Sequence, residues 1–229
     1  MKALVTGGAA SGKSAVAERV ACSLSPTRCY VATMSTAGAE AQQRIARHRA
    51  QRAGLSFRTV EACGRQPLSD AVPGTQGVFL VEDLGNLVAN ALFDENGLVA
   101  CPEDRIEQLS RMLHAFASRV EHVVFVGNEV GSEGRAPGDD VELYVRLIGT
   151  LCCQVASWCD TVVEVVAGIP CCIKGALPAD AVQEAPYSGQ DRFCCQADRR
   201  IAASGQAEGV PGPSVQRSFP AAVRAGRQA

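Results

Sequence analysis

An α/β fold, with a mostly parallel sheet covered by helices on both faces, is what this sequence predicts, and three observations predict it. Short apolar or β-branched runs alternate along the chain with longer stretches of helical period, the pattern of repeated strand and helix units. The first run, Ala3-Leu4-Val5, leads straight into a glycine-rich turn that opens a helical pattern at Ala15. Gly77 to Glu82 (G-V-F-L-V-E) is a continuous apolar run ending on an acid, as expected of a buried parallel strand that delivers a carboxylate at its C-terminal end.

The turn itself reads Gly7-Gly8-Ala9-Ala10-Ser11-Gly12-Lys13-Ser14 and fits the phosphate-loop spacing, with Gly7, Gly12, Lys13 and Ser14 at the four defined places. Glycine at the first and sixth places lets the backbone enter conformations closed to residues with a Cβ. Successive N–H groups then converge on phosphate oxygens at a helix N-terminus. Lys13 is expected to reach the β- and γ-phosphates of a bound nucleotide, and the Ser14 hydroxyl to ligate Mg²⁺. An ordinary strand-to-helix glycine turn is the plainer reading. Against it stands lysine usage: the chain has lysine only at positions 2, 13 and 174, and one of these is in the loop. The expected architecture is therefore a RecA-like phosphate-loop (P-loop) NTPase of one α/β domain, ending in a short edge strand.

Composition narrows the class. The chain has 229 residues, 47% of them hydrophobic, enough for one ordinary domain with a sizeable core plus an appendage. A net charge of -2 and a pI near 6.0 argue against a general nucleic-acid or membrane binder, so anion recognition must be local. No run approaches the ~18 apolar residues of a membrane span. The strand and loop begin at once, which leaves no room for a signal peptide and predicts a cytoplasmic protein. Eleven cysteines invite a metal or disulfide reading, but none forms a C-x-x-C pair and three sets are adjacent doublets. Most are expected to be buried small hydrophobes.

Arg28 to Thr33 reads as a second strand, ending in Thr33-Met34-Ser35. Hydroxyls there either face the ligand crevice of an open α/β sheet or cap a helix. Residues 39 to 52 are strong helix formers, and Arg44, His48 and Arg52 share one face at a spacing of four. That stripe is either a solvated charged face or a histidine nucleophile flanked by guanidiniums that offset charge on phosphorus. Phe57 to Glu61 alternates like a half-exposed strand that ends in a carboxylate. After the apolar run, Glu82 is the expected metal-shell acid, with Asp83 free to cap the helix from Leu84 to Phe93. Pro102 to Arg119 is an amphipathic helix with Glu103 and Asp104 in its first turn, His122 to Asn128 a core strand, and Val141 to Trp158 a helix. His114 and His122 have no partners at useful spacing and read as structural. The loop to Asp140 is a candidate flap. Thr161 to Ala167 is the last strong strand, and Cys171 to Lys174 a short edge strand. The domain is expected over 1–174, and 175–229, where apolar periodicity vanishes, as a disordered tail.

These segments together resemble the bifunctional adenosylcobinamide kinase and adenosylcobinamide-phosphate guanylyltransferase family of cobalamin biosynthesis. The resemblance rests on V-T-G-G-A-A-S-G-K-S at the start, Y-V-A-T at 30–33, R-I-A-R-H-R-A-Q-R at 44–52 and F-R-T-V-E at 57–61. It continues with Glu82 followed by Asn90, V-G-N-E-V-G at 126–131 and A-G-I-P-C-C-I-K at 167–174. It implies that His48 carries GMP covalently, and that nucleotide contacts come from the phosphate loop, Thr33-Met34-Ser35, Arg49-Ala50-Gln51-Arg52, Glu61 and Glu82. The implied substrates are adenosylcobinamide, its phosphate, and ATP or GTP, with Mg²⁺ as cofactor. The family also implies a homo-oligomer. Ala10, the segment 130–137, Leu147 and Cys153 depart from the family pattern and bear on the corrinoid side. A kinase-only relative and a phosphate-loop switch protein are the alternatives.

Overall fold

A computed structural model of the chain describes residues 1–34, 54–63, 66–94, 96–130 and 139–182. The apolar runs become strands β1 (Lys2–Thr6), β2 (Arg28–Ala32), β3 (Phe57–Glu61), β4 (Val78–Glu82), β7 (His122–Val126), β8 (Thr161–Val166) and β9 (Ile169–Lys174) of one sheet. A two-stranded ribbon, β5 (Phe93–Asp94) with β6 (Gly97–Leu98), stands apart from it. The helices are α1 (Lys13–Leu24), α2 (Leu68–Ala71), α3 (Leu84–Leu92), α4 (Pro102–Arg119), α5 (Asp139–Trp158) and α6 (Ala179–Val182).

The strand order is β3-β2-β4-β7-β1-β8-β9. All pairs are parallel except β8 with β9, which form an antiparallel hairpin at the edge. Because β7 sits between the loop-bearing β1 and the acid-bearing β4, this is the RecA-like arrangement of a phosphate-loop fold. Register aligns Glu61, Ala32, Glu82, Val126, Val5 and Val163 in one row, so the strands present their C-terminal ends along a single edge.

Alternation along each strand divides the core in two. Tyr30, Val78, Leu80, Val124, Val126, Val163 and Val165 pack with Val16, Ala17 and Val20 of α1 on one face. Val31, Phe79, Val81, Val123, Phe125 and Val162 pack on the other face with α3, α4 and α5. Helix α4 shows how sequence sets this layer. Pro102 starts it, Glu103 and Asp104 complement its first turn, and Arg119 its last. Ile106, Leu109, Leu113 and Phe116 recur on its buried stripe, and the Phe116 ring meets Phe79 edge-on at 5.7 Å.

Two expectations change. The packed chain continues past Lys174, since α6 lies against α1 and Ala181 is buried in the α1 face of the core. Four residues carry too little periodicity to announce such a helix. Residues 183–229 lie outside the described residues. The cysteines also divide differently. Cys29 and Cys159 are buried, and burial pushes their thiols up to about 11 and about 12. Cys101, Cys153, Cys171 and Cys172 are exposed, the last two because β9 is an edge strand open to solvent along most of its length.

Candidate active site

The glycine-rich turn rises from the end of β1 and is held from both sides. Gly7 has φ +155, and a Cβ there would stand 2.6 Å from both Ser11 Oγ and the Val165 carbonyl oxygen, so close approach excludes any other residue. The Glu129 N–H donates to the Gly7 carbonyl (3.1 Å), tying the segment after β7 to the loop. From the other side the Gly168 N–H, in the β8–β9 turn, donates to the Ser11 carbonyl (2.8 Å). Gly12, left-handed at φ +88, makes the turn into α1 without any side-chain cap, and the first turn of α1 has no acidic residue. The result is an uncapped positive helix end, suited to an anion. Lys13 Nζ donates to the Gly8 carbonyl (3.0 Å) across the loop.

Two strands away, the acids at the end of β4 take separate places. Asp83 caps α3, accepting the Asn86 N–H at 2.7 Å. Glu82, 8% exposed, accepts the Ser14 hydroxyl at 2.6 Å through Oε1, while its Oε2 is buried with no hydrogen-bond partner among the described residues. A buried carboxylate oxygen without a partner is costly to keep. A hydroxyl and a carboxylate side by side, one oxygen unspent, are hard oxygen donors of the kind Mg²⁺ takes.

The ends of β2 and β3 make a second cluster. Thr33 is tied into the sheet. Its side chain is fully buried, its hydroxyl donates to the Asp83 carbonyl (2.9 Å) and its N–H to the Glu82 carbonyl (3.1 Å). It fastens β2 to the end of β4, because the neighbouring strand leaves a carbonyl within reach. Met34 is half-buried beyond it. Asn90, on α3, donates from Nδ2 to the carbonyls of Thr33 (3.0 Å) and Cys63 (3.1 Å), clasping the chain after β2 to the chain after β3. Glu61 is exposed at the end of β3, four strands from β1. At about 4.8 Å per strand it stands roughly 19 Å along the edge from the loop.

The structure thus gathers Gly7, Gly8, Ala9, Ala10, Ser11, Gly12, Lys13, Ser14 and Glu82 at one place, and Met34 and Glu61 at another. Ser35, His48, Arg49, Ala50, Gln51 and Arg52 lie outside the described residues, as do 131–138. The borders of the site come from segments with no role assigned from the sequence: Gly127-Asn128-Glu129 after β7, the Ala167-Gly168 turn, and Asn90. Their motifs stand out in the sequence, but their adjacency to the loop depends on strand order. Behind them Tyr144 donates to the Gly85 carbonyl (3.2 Å), and burial pushes its phenol pKa up.

The family model described as cobinamide kinase / cobinamide phosphate guanyltransferase matches residues 3–173. The bifunctional adenosylcobalamin biosynthesis protein CobP of Pseudomonas aeruginosa is 32% identical over 178 residues, covering 76% of this chain and 98% of that protein. Among solved structures, an ATPase of the type III secretion system of pathogenic bacteria is 10% identical with a TM-score of 0.45, covering 79% of this chain and 60% of that one. A KaiC-like protein of Pyrococcus horikoshii is 13% identical with a TM-score of 0.36, covering 71% of this chain and 69% of that one. The fold assignment rests on the strand order and the loop, not on these two distant likenesses.

Proposed function

The chain belongs to the cobinamide kinase / cobinamide phosphate guanyltransferase family, and from that premise we propose that it carries out both reactions of a bifunctional enzyme. It phosphorylates the aminopropanol hydroxyl of adenosylcobinamide with ATP or GTP, then transfers GMP from GTP to the new phosphate, giving adenosylcobinamide-GDP. The observation that carries the first step is the Ser14–Glu82 pair, 2.6 Å apart, with its unspent carboxylate oxygen beside an uncapped helix N-terminus.

In the kinase step the loop N–H groups and Lys13 hold the triphosphate and draw charge toward the leaving β-phosphate. The substrate hydroxyl oxygen bonds to the γ-phosphorus, the bond to the β-phosphate oxygen breaks, and the hydroxyl proton passes to solvent. Ser14 Oγ and Glu82 would hold Mg²⁺, whose chemistry here is to neutralise the negative charge of the β- and γ-oxygens. Loop and acid keep the phosphates at one register along the sheet edge, which supplies most of the acceleration that positioning can give.

In the second step a neutral His48 nitrogen attacks the α-phosphorus of GTP and pyrophosphate leaves. A phosphate oxygen of adenosylcobinamide phosphate then displaces the histidine, breaking the P–N bond. Neighbouring arginines favour the neutral imidazole that this needs. Arg49 to Arg52 and Met34 line the nucleotide in this reading, and Glu61 accepts from the N1 and N2 donors of guanine, a pair that adenine does not offer. Among the described residues no helix is long and apolar enough to cross a membrane, and we take the reactions to be cytoplasmic, on small molecules and in a homo-oligomer.

Incubation with α-labelled GTP and Mg²⁺ is expected to leave acid-labile label on the protein, and His48→Ala to remove it. Label that persists in that variant would sink the guanylyl-histidine.

A further inference from the structure

Of the four exposed large hydrophobic side chains among the described residues, three lie on the β8–β9 hairpin: Val166 (51% exposed), Ile169 (65%) and Ile173 (64%). Single exposed apolar residues need no explanation. These are concentrated on one element, and two of them occupy a particular place. Val166 and Ile169 are the pair that closes the hairpin, flanking a turn in which Ala167 and Gly168 both have left-handed φ, +50 and +85.

That turn is fastened to the phosphate loop. Its Gly168 N–H donates to the Ser11 carbonyl at 2.8 Å. Gly168 Cα lies 3.4 Å from where a Cβ on Gly12 would be, and the Val165 carbonyl crowds Gly7. The tip therefore keeps a fixed position beside the loop whatever the rest of β9 does.

The direction of a bound nucleotide follows from the sheet. Ser14 and Glu82 mark the side of the loop toward β4, where the β- and γ-phosphates and their cation belong. A triphosphate with that end toward β4 carries its ribose and base the other way. On that side of β1 the next strand is β8. The tip offers Val166, Ala167, Gly168, Ile169 and Pro170, which have no polar side-chain atom among them. Such a surface can cover a ring face but has no side chain with which to read a ring edge.

We propose that the Val166–Ile169 tip is the footing for the purine ring of the phosphoryl-donor nucleotide, whose phosphates lie in the loop. It rests on the phosphate-loop reading above. A base seated there gains apolar contact common to adenine and guanine, so the donor step is indifferent to the base. Glu61 stands at the opposite flank, four strands from β1, so guanine recognition for the second step has its own footing. The two reactions then differ in which way the purine points from the loop.

The test is calorimetric titration of the full chain, in Mg²⁺, with ATP, with GTP and with inorganic tripolyphosphate, which has phosphates but no base. Ile169→Asn is neutral and sits at an exposed position, so neither charge nor folding confounds it. It is expected to weaken ATP and GTP alike, by about tenfold, and to leave tripolyphosphate unchanged; Ile169→Leu restores nucleotide affinity. Unchanged nucleotide affinity overturns the proposal, and so does an equal loss for tripolyphosphate. A change in oligomeric mass with nucleotide affinity intact assigns the patch to contact between copies and also overturns it. Lys13→Ala separates the premise: if that variant still binds tripolyphosphate as the wild type does, the loop reading fails, whatever Ile169 does.

Discussion

The two ends of the parallel strands are built to opposite specifications. At the N-terminal end polar groups close on one another. The Lys2 N–H donates to Asp160 Oδ2 (2.7 Å), the Asp160 N–H returns to the Lys2 carbonyl (2.8 Å), and the Gly77 N–H donates to Glu121 Oε2 (2.7 Å). Arg28 is spent on the carbonyls of Ser25, Leu55 and Cys22. At the C-terminal end, Glu82 Oε2 and Ser11 Oγ are buried without a partner among the described residues, and α1 begins without a side-chain cap. Unmatched buried polar groups are a standing cost. These two lie where open α/β sheets bind ligands, outside the carboxyl ends of the strands; the other two such atoms among the described residues, Arg19 Nε and Gln154 Oε1, sit on helices α1 and α5.

The largest effect that would break this contrast is at Glu82. Glu82→Gln keeps an acceptor for Ser14 but removes the buried charge. Kinase turnover is expected to fall by about 10²–10³-fold, the usual cost of losing one preorganised electrostatic group. The melting temperature should stay level or rise, because a neutral amide is easier to bury than an uncompensated carboxylate. A variant that melts lower while keeping its turnover would make Glu82 a structural residue, and the two ends alike.

A middle effect is expected at Asn90, which holds the ends of β2 and β3 together. Asn90→Ala leaves the Thr33 and Cys63 carbonyls without their donor, costing about 1–3 kcal/mol. Freed chain ends should slow formation of the GMP adduct by about tenfold or more, since small misplacements are expensive in catalysis. Tripolyphosphate binding at the loop should not move. Leu113→Ala in the α4 core is the control: it costs about 2–5 kcal/mol but should leave the adduct rate intact well below its melting temperature. If both variants slow the adduct equally, Asn90 acts through stability alone.

How much of this was legible in the sequence depends on the range of the interaction. Helix α4 is read with its observed limits, Pro102 and Arg119, because its period, its proline and its end charges are local signals. The parallel core follows from apolar runs such as Val78–Val81, and the loop from its spacing. Strand order is a long-range outcome: that β7 separates β1 from β4, and that β8 lies beside β1, is written in no local pattern. Everything that depends on that order was therefore hidden. The Thr33 hydroxyl turns inward because β4 sits beside β2, and the turn at Gly168 becomes part of the loop because β8 neighbours β1. Ser14 and Glu82 were visible as types, since each carries its own motif, but their 2.6 Å contact spans 68 residues.

The smallest effect belongs to the N-terminal end and comes with a sign. His122, at the start of β7, accepts the Met1 amino group at Nδ1 (2.8 Å), with Glu121 3.7 Å from its Nε2. Burial first, then the positive amino group and Lys2, lower the imidazole pKa below the ordinary 6.5, against the pull of Glu121. Between the lowered value and 6.5 the unfolded chain binds more protons at this site than the folded one, so stability rises with pH across that window. The contribution is complete above 6.5 and is lost as pH falls through the folded value, where His122 would add a second cation beside the amino group. A shallow drop in melting temperature is expected as pH is lowered from about 7 toward 5, the range in which histidine titrates. His122→Gln should flatten that slope without changing tripolyphosphate affinity at any pH. An unaltered slope in the variant would mean that the N-terminal end is not the pH-sensitive one.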